Sequence, residues 1–201
     1  MPIRSLSAAQ AVQPPRANRP PDALHLVVPT VRQSKNYTCG AASSVAVLRA
    51  FGQEATERGL AKEMKSDPTQ GTLPAHIVKA MKARGLGAEA QTDLTFGKLR
   101  EHLQRGALVI VAYQAWRDDV KTPWAQLWDD GHYSVVTGMD EANVYLMDPS
   151  QSDRGFVPRQ EFEERWHDVD GHGTKLRSFG IIVDGVRAAA GPKPATVSLV
   201  E

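Results

Sequence analysis

The sequence predicts an α+β fold in a single domain. Apolar residues recur at helical spacing from Cys39 to about residue 105, whereas apolar and β-branched runs typical of strands dominate from Ala107 onward. Helices followed by strands, rather than alternating with them, are typical of the α+β class. A chain of 201 residues is long enough for one domain with a hydrophobic core and additional tails.

The two ends of the chain differ in composition from its middle. Residues 1–22 contain five prolines and almost no bulky apolar side chains, which predicts a flexible proline-rich arm. Residues 187–201 are rich in alanine, glycine and proline, and we expect a second, loose tail there. The folded domain is therefore predicted to span residues 23–186.

Local patterns predict the order of the elements. A short edge segment at 24–30 contains Pro29, which cannot donate to a sheet ladder. Helices are expected wherever helical spacing is bounded by capping residues, Pro or Gly; they lie at 39–51, 57–64, 74–82, 96–105 and 158–166. Strands are expected at 107–113, 132–139, 143–149 and 177–185. The second and third of these strands are three residues apart, which is a hairpin connection.

Composition excludes several classes of function. A formal net charge of +1 gives no basic stripe for nucleic acid, and the longest apolar run, Ala107–Tyr113, is too short to enter a membrane as a span. One cysteine allows neither an internal disulfide nor a cysteine-rich zinc site. Residues 1–22 show no signal-peptide pattern, so we expect a cytoplasmic protein. We also expect that it uses no cofactor.

The single cysteine, Cys39, stands where a loop turns into the first long helix. The free N–H groups and macrodipole of a helix N-terminus favour the nucleophilic thiolate. Gly40 follows without a side chain, so backbone N–H groups could approach a substrate carbonyl, and Gln33 could supply a second oxyanion donor. The alternative is a cysteine buried as a small apolar side chain.

Two residues of the predicted hairpin could activate this thiol. His132 opens one strand and Asp148 ends the next, so the hairpin places both near the same end of the sheet. A histidine oriented by a carboxylate can serve as base and then as acid in acyl transfer. Taken singly, His132 could be an ordinary strand residue and Asp148 a turn former before Pro149.

These residues resemble a known family. Gln33, Cys39-Gly40, Gly131-His132-Tyr133 and Asp148-Pro149 occur in the order found in papain-like cysteine peptidases. The resemblance is strongest to the peptidases that remove double-glycine leaders in bacteriocin exporters, and to their stand-alone relatives. It implies a papain-like fold, with Cys39 as nucleophile, His132 as base and acid, Asp148 as its orienting partner and Gln33 in the oxyanion hole.

Two further groups of residues could border a substrate. The segment 114–130 carries Trp116, Trp124 and Trp128, which could form a cleft wall together with Gly40 and Gly131, or could fill a small satellite core. The segment 166–172 (WHDVDGH) could hold a metal ion, border the cleft, or be a solvated loop. We expect no metal, because no third distant ligand is evident.

The sequence therefore predicts a thiol hydrolase, with a cysteine peptidase acting on a peptide or protein substrate as the first expectation. The alternatives are another acyl-transfer enzyme on the same residues (an amidase, deamidase or transglutaminase-like enzyme) and a catalytically silent peptide-binding module. Residues competent for catalysis at Gln33, Cys39, His132 and Asp148 argue against the silent module.

Overall fold

The computed structural model of the protein describes residues 24–151 and 154–185 and the backbone of residues 197–199. The predicted arm at residues 1–22 and most of the predicted tail at 187–201 lie outside the described residues. Within the described part of the chain, no helix is both long and apolar enough to cross a membrane.

All five predicted helices are confirmed, and no end differs from its predicted position by more than one residue. They are α1 (Cys39–Ala50), α2 (Glu57–Glu63), α3 (Pro74–Lys82), α4 (Phe96–Gln104) and α5 (Arg159–Arg165); a 3-10 turn lies at Trp124–Gln126. Thr56 and Thr95 cap α2 and α4 by accepting hydrogen bonds from Gly59 and Lys98 N–H. Pro74 occupies the first turn of α3, where its missing N–H has no cost.

The strands are more numerous than the sequence predicts. They are β1 (Leu24–His25), β2 (Gly87–Gln91), β3 (Leu108–Gln114), β4 (Gly131–Met139), β5 (Asn143–Met147), β6 (Arg154–Pro158), β7 (His167–Val169), β8 (Lys175–Arg177), β9 (Gly180–Asp184) and β10 (Val197–Leu199). The predicted strands β3, β4, β5 and β9 are confirmed, and the edge segment 24–30 is reduced to β1. Strands β2, β6, β7, β8 and β10 are not predicted from the sequence, and β10 lies within the segment 187–201 that is expected to be a loose tail.

Eight of the ten described strands form one large, mostly antiparallel sheet with the order β10-β6-β5-β4-β3-β9-β2, in which β1 pairs with β4. Strands β7 and β8 make a separate hairpin. Helix α1 packs on one face of the sheet, in a core that contains Ile110 and Ala112. Helices α4 and α5 contribute to a second core with Val109 and Val111. Strand β3 is buried on both faces, and a doubly covered strand is continuously apolar, as its sequence is.

Two contacts bring the first helix and the hairpin together. Ser43 Oγ in α1 donates a hydrogen bond of 3.1 Å to the carbonyl oxygen of Tyr133 in β4. The N–H of Gln33, in the segment before α1, donates to the carbonyl oxygen of Pro149, just after β5, at 2.8 Å. The start of α1 is therefore held against the end of the sheet where β4 begins and β5 ends.

Candidate active site

Cys39 is the first residue of α1 and is buried, with 7% of its surface exposed. The preceding residue, Thr38, occupies the N-cap position but makes no side-chain capping bond. Its hydroxyl contacts the Lys35 carbonyl and the Glu57 carboxylate instead. Because the first N–H groups of a helix have no partner inside the helix, the backbone donors around Cys39 remain available to a ligand.

His132 and Asp148 form a buried pair at the end of the β4–β5 hairpin. Nε2 of His132 lies 2.8 Å from Oδ1 of Asp148, and each side chain is only 1% exposed. Cys39 lies close enough to the imidazole to contribute to the raised pKa of His132. Since Nε2 is engaged by Asp148, Nδ1 is the nitrogen left to face the sulfur. The three residues that the sequence analysis expected to meet are thus brought together.

Electrostatics favour a charged imidazole in this arrangement. Burial lowers the pKa of His132, but the hydrogen bonds and charges of Asp148 and Cys39 outweigh it and raise the pKa to about 10. Burial raises the pKa of Asp148, and this is overcome by its bonds to His132 and Ser150, so that its pKa lies below the usual value. The pair therefore holds an imidazolium beside a carboxylate at neutral pH.

Further groups fix Asp148 and cover His132. Asp148 Oδ1 also accepts bonds of 2.8 Å from the backbone N–H and the hydroxyl of Ser150. Its Oδ2 accepts a 3.1 Å bond from the Tyr113 hydroxyl. The ring of Trp116, 43% exposed, stands edge-on to the imidazole with a centroid separation of 4.9 Å. Tyr113 was not identified from the sequence as a site residue, because it reads only as part of an apolar strand.

The Gln33 side chain is placed by its neighbours near the start of α1. Its Nε2 donates a bond of 2.9 Å to the Lys35 carbonyl, which uses one of its two N–H groups. Its buried Oε1 has no hydrogen-bond partner among the described residues. The second amide N–H is the donor that could serve an oxyanion.

The two predicted site glycines have different surroundings. A Cβ at buried Gly40 would lie 2.8 Å from the Thr72 Cβ and 3.2 Å from the Ile77 Cδ1, so packing requires the absence of a side chain here. A Cβ at Gly131 would lie 2.0 Å from Oδ1 of Asp168. Because Gly131 has no side chain, the Asp168 carboxylate can pack against the backbone directly before His132.

An open cleft of about 260 Å³ lies beside the candidate nucleophile. Its lining includes Cys39, Gln70, Trp128, Gly131, Tyr133 and Asp168. The three tryptophans of segment 114–130 have separate environments: Trp128 lines this cleft and Trp116 covers His132. Trp124 is buried, with the Arg165 guanidinium 4.2 Å from the centre of its ring. Trp128 thus lies where a cleft wall would need it and Trp124 lies where a core residue would, whereas Trp116 is not part of the described cleft lining.

The segment 166–172 borders the cleft through Asp168. Its histidine His167 is engaged by the carbonyl of Leu127 at 2.6 Å and by the ring of Trp128. Within the part of the chain that the structure describes, no group of three or more potential ligands could hold a metal ion.

Within the segment 166–172, which could border the cleft on sequence grounds, Asp168 was not distinguished from its neighbours. Its carboxylate is buried in β7, and burial raises its pKa to about 7 despite bonds from the Val169 N–H and the Gln114 amide. A strand of three residues has no periodicity by which its inward-facing position could be recognised.

Comparisons with known proteins identify the family. The model of the Peptidase_C39 like family matches residues 25–173. An uncharacterized protein of Methanothermobacter thermautotrophicus is 32% identical over 124 residues, which are 60% of this chain and 70% of that protein.

Solved structures show the fold. A Bacillus anthracis protein described as a C39-like peptidase has a TM-score of 0.63 and 19% identity, over 83% of this chain and 100% of that chain. A double glycine motif protease from an AMS/PCAT transporter, in complex with its leader peptide, has a TM-score of 0.56 and 18% identity, over 79% and 92%. The predicted papain-like α+β fold is thereby confirmed, and the chain belongs to the Peptidase_C39 like family.

Proposed function

We propose that the protein is a cysteine peptidase that cleaves peptide bonds through an acyl-enzyme on Cys39. The single observation that carries this is the buried His132–Asp148 pair, 2.8 Å apart, whose imidazole interacts with Cys39, the only cysteine of the chain, at the edge of a cleft. A structural cysteine needs no such partner, whereas a nucleophilic one does.

The first half of the cycle forms a thioester. The Cys39 thiolate attacks the carbonyl carbon of the scissile bond, and the resulting oxyanion accepts hydrogen bonds from the Cys39 N–H and the Gln33 amide. The tetrahedral intermediate collapses with cleavage of the C–N bond. The departing amine takes the Nδ1 proton of His132, which Asp148 keeps in the required orientation.

The second half releases the acyl group. Neutral His132 removes a proton from a water molecule as the water attacks the thioester carbon. The C–S bond breaks, the carboxylic acid product leaves, and the proton held by His132 restores the starting ion pair with the thiolate. No metal or redox cofactor takes part in these steps.

The substrate proposed is a peptide segment bound in extended form along the cleft. The cleft is open to solvent, and Cys39 at the start of α1 is part of its lining. The AMS/PCAT relative was solved with its leader peptide. By analogy of fold, the cleft beside Cys39 would bind the residues of the peptide that flank the scissile bond.

A peptide digest with mass-spectrometric readout tests the proposal. Wild-type protein and Cys39→Ala are each incubated with a peptide library, and new N- and C-termini are counted. We expect cleavage by the wild type only, and a transient mass increase on Cys39 that corresponds to the acyl-enzyme.

Other outcomes separate the alternatives. Loss of ammonia from glutamine without chain cleavage would identify an amidase or deamidase, and incorporation of an added amine would identify a transferase. Absence of any product or adduct, together with peptide binding, would leave the silent binding module.

A further inference from the structure

The cleft beside Cys39 is acidic on one side. Asp129, Asp168 and Asp170 line it, and its described lining contains no lysine or arginine. Asp129 is exposed to solvent, and Asp170 accepts bonds from the N–H groups of its own loop. Asp168 differs from both, because it is buried and directed at the cleft.

The Asp168 carboxylate is only half satisfied. The residue is 8% exposed, and its Oδ1 accepts bonds from the Val169 N–H at 2.7 Å and the Gln114 amide at 3.3 Å. Oδ2 accepts no hydrogen bond from any residue that the structure describes, and it forms no ion pair there. Oδ2 is not one of the fully buried polar atoms that lack a partner, so it remains accessible from the cleft, where a ligand can reach it.

The chain makes room for this carboxylate next to the candidate catalytic residues. A Cβ at Gly131 would lie 2.3 Å from Oδ2, so only glycine allows Asp168 to approach the start of β4. Gly131 directly precedes His132, and Cys39 lines the same cleft. The unpartnered oxygen therefore lies close to where a scissile bond would be held.

We propose that Asp168 binds a cationic side chain, lysine or arginine, of the peptide substrate close to the scissile bond. This inference rests on the proposed peptidase function and names its substrate class. An ammonium or guanidinium group would supply the missing donor to Oδ2 and the missing countercharge in one contact. Trp128 and Tyr133, which line the same cleft, offer apolar surface to the alkyl stem of such a side chain.

The electrostatics of the free protein agree with an absent partner. Burial is the largest cause that raises the pKa of Asp168 to about 7, and His132 supplies only a smaller opposing charge. Lys175 and Arg177 pack over the Trp128 ring, 4.7 and 5.4 Å from its centre, rather than against Asp168. Asp168 thus lacks a lysine or arginine counterion among the described residues.

The test uses N-acetylated, C-amidated hexapeptide libraries. One position at a time is fixed as lysine, norleucine or glutamate, and the other positions are a mixture of neutral residues. Cleavage at pH 8 is compared for wild type, Asp168→Asn and Glu164→Gln. Glu164 is exposed on α5 outside the cleft lining, so this variant matches the change in net charge. Binding of the same libraries is measured on Cys39→Ala by tryptophan fluorescence, with and without Asp168→Asn.

We expect lysine to be preferred over norleucine by about tenfold or more at one position beside the cut, and glutamate to be rejected there. The ratio of lysine to norleucine cleavage should fall towards one in Asp168→Asn and should keep its wild-type value in Glu164→Gln. Equal cleavage and equal binding of the lysine and norleucine libraries by protein with Asp168 intact would overturn the inference. Binding to Cys39→Ala does not require catalysis. If the protein binds peptides but does not cleave them, the peptidase proposal fails, but the preference for lysine in binding should still be seen.

Discussion

The Tyr113 hydroxyl donates a hydrogen bond of 3.1 Å to Asp148 Oδ2, on the opposite oxygen from the one that holds His132. Both side chains are buried, so this bond restrains the carboxylate in a region from which water is excluded. The Tyr113 ring also meets the imidazole edge-on at 6.0 Å. Tyr113 is therefore a positioning residue for the His132–Asp148 pair rather than a group that touches substrate.

Tyr113→Phe keeps the ring contact and removes only the hydroxyl donor. We expect kcat/KM for peptide cleavage to fall by about threefold to tenfold, which corresponds to the net worth of one hydrogen bond. The loss should appear in kcat rather than KM. An unchanged kcat in a folded Tyr113→Phe protein would contradict the positioning role.

Asp148→Asn should retain measurable but strongly reduced activity. The amide preserves the shape but cannot stabilise the imidazolium, and we expect kcat to fall on the order of a hundredfold or more. Ser150→Ala is the matched control, because it removes only one of the bonds to the same oxygen and should cost about tenfold or less. Similar kinetics for the two variants would mean that Asp148 acts only by packing.

Alkylation of Cys39 should depend on His132 most strongly at neutral and mildly acidic pH. His132 has a pKa of about 10, so it stays charged at neutral pH. A cation next to Cys39 favours the thiolate form of the cysteine. His132→Ala should slow labelling by iodoacetamide about tenfold or more at pH 6.5. The difference should narrow at pH 9.5, where even a free thiol, of pKa about 8.5, is ionised.

The control for this experiment is His172→Ala, which removes an exposed histidine of the 170–174 turn. Its labelling rate should match that of the wild type at every pH. A His132→Ala protein that labels like the wild type at pH 6.5 would show that the imidazole does not activate the thiol.

Much of this site follows from local sequence. The start of α1 is marked by Cys39-Gly40 and a run of small apolar residues, and the β4–β5 hairpin follows from two apolar strands three residues apart. Pairing of these strands places His132 and Asp148 at one end without any long-range information. The contact of Cys39 with His132 could not be derived from spacing alone; it was inferred from the residue types and agreed with the family resemblance.

The second carboxylate could not be predicted in the same way. Asp168 reaches the cleft because the β7–β8 hairpin, of three residues per strand, folds against the start of β4. Elements this short carry no periodic signal, and their position depends on tertiary packing. For the same reason the sequence could not distinguish Trp128, which lines the cleft, from buried Trp124.

Gly131→Ala should damage both the site and the fold. The added Cβ would lie 2.0 Å from Asp168 Oδ1 and would force the carboxylate or the start of β4 to move. We expect a loss of about 1–3 kcal/mol in the free energy of unfolding and a large loss of activity. Urea denaturation and peptide cleavage measure the two effects.

Gly97→Ala is the control for this substitution. Gly97 lies exposed in the first turn of α4, where a Cβ would meet only Thr95 Oγ1, at 3.7 Å. Alanine there should stabilise the protein by up to about 1 kcal/mol. A neutral Gly131→Ala would contradict the close approach of Asp168.

Asp168→Asn should make the protein relatively more stable at high pH. The pKa of Asp168 is raised from an ordinary value of 3.8 to about 7, because burial penalises the carboxylate. A raised folded-state pKa gives stability that is complete below the unfolded-state pKa and is lost as the pH rises through about 7. Asparagine cannot ionise, so it retains its packing at every pH without this loss.

Comparison of urea unfolding at pH 5 and pH 8.5 isolates the effect, because other titrating groups contribute equally to both proteins. Between these two values the wild type should lose about 2–3 kcal/mol relative to Asp168→Asn. Lysine-containing peptide bound to Cys39→Ala should reduce this loss, since a cation beside Oδ2 lowers the cost of the charge. An identical pH dependence in the two proteins would show that Asp168 is already ionised and compensated in the free protein, and would remove the physical reason for its binding a cation.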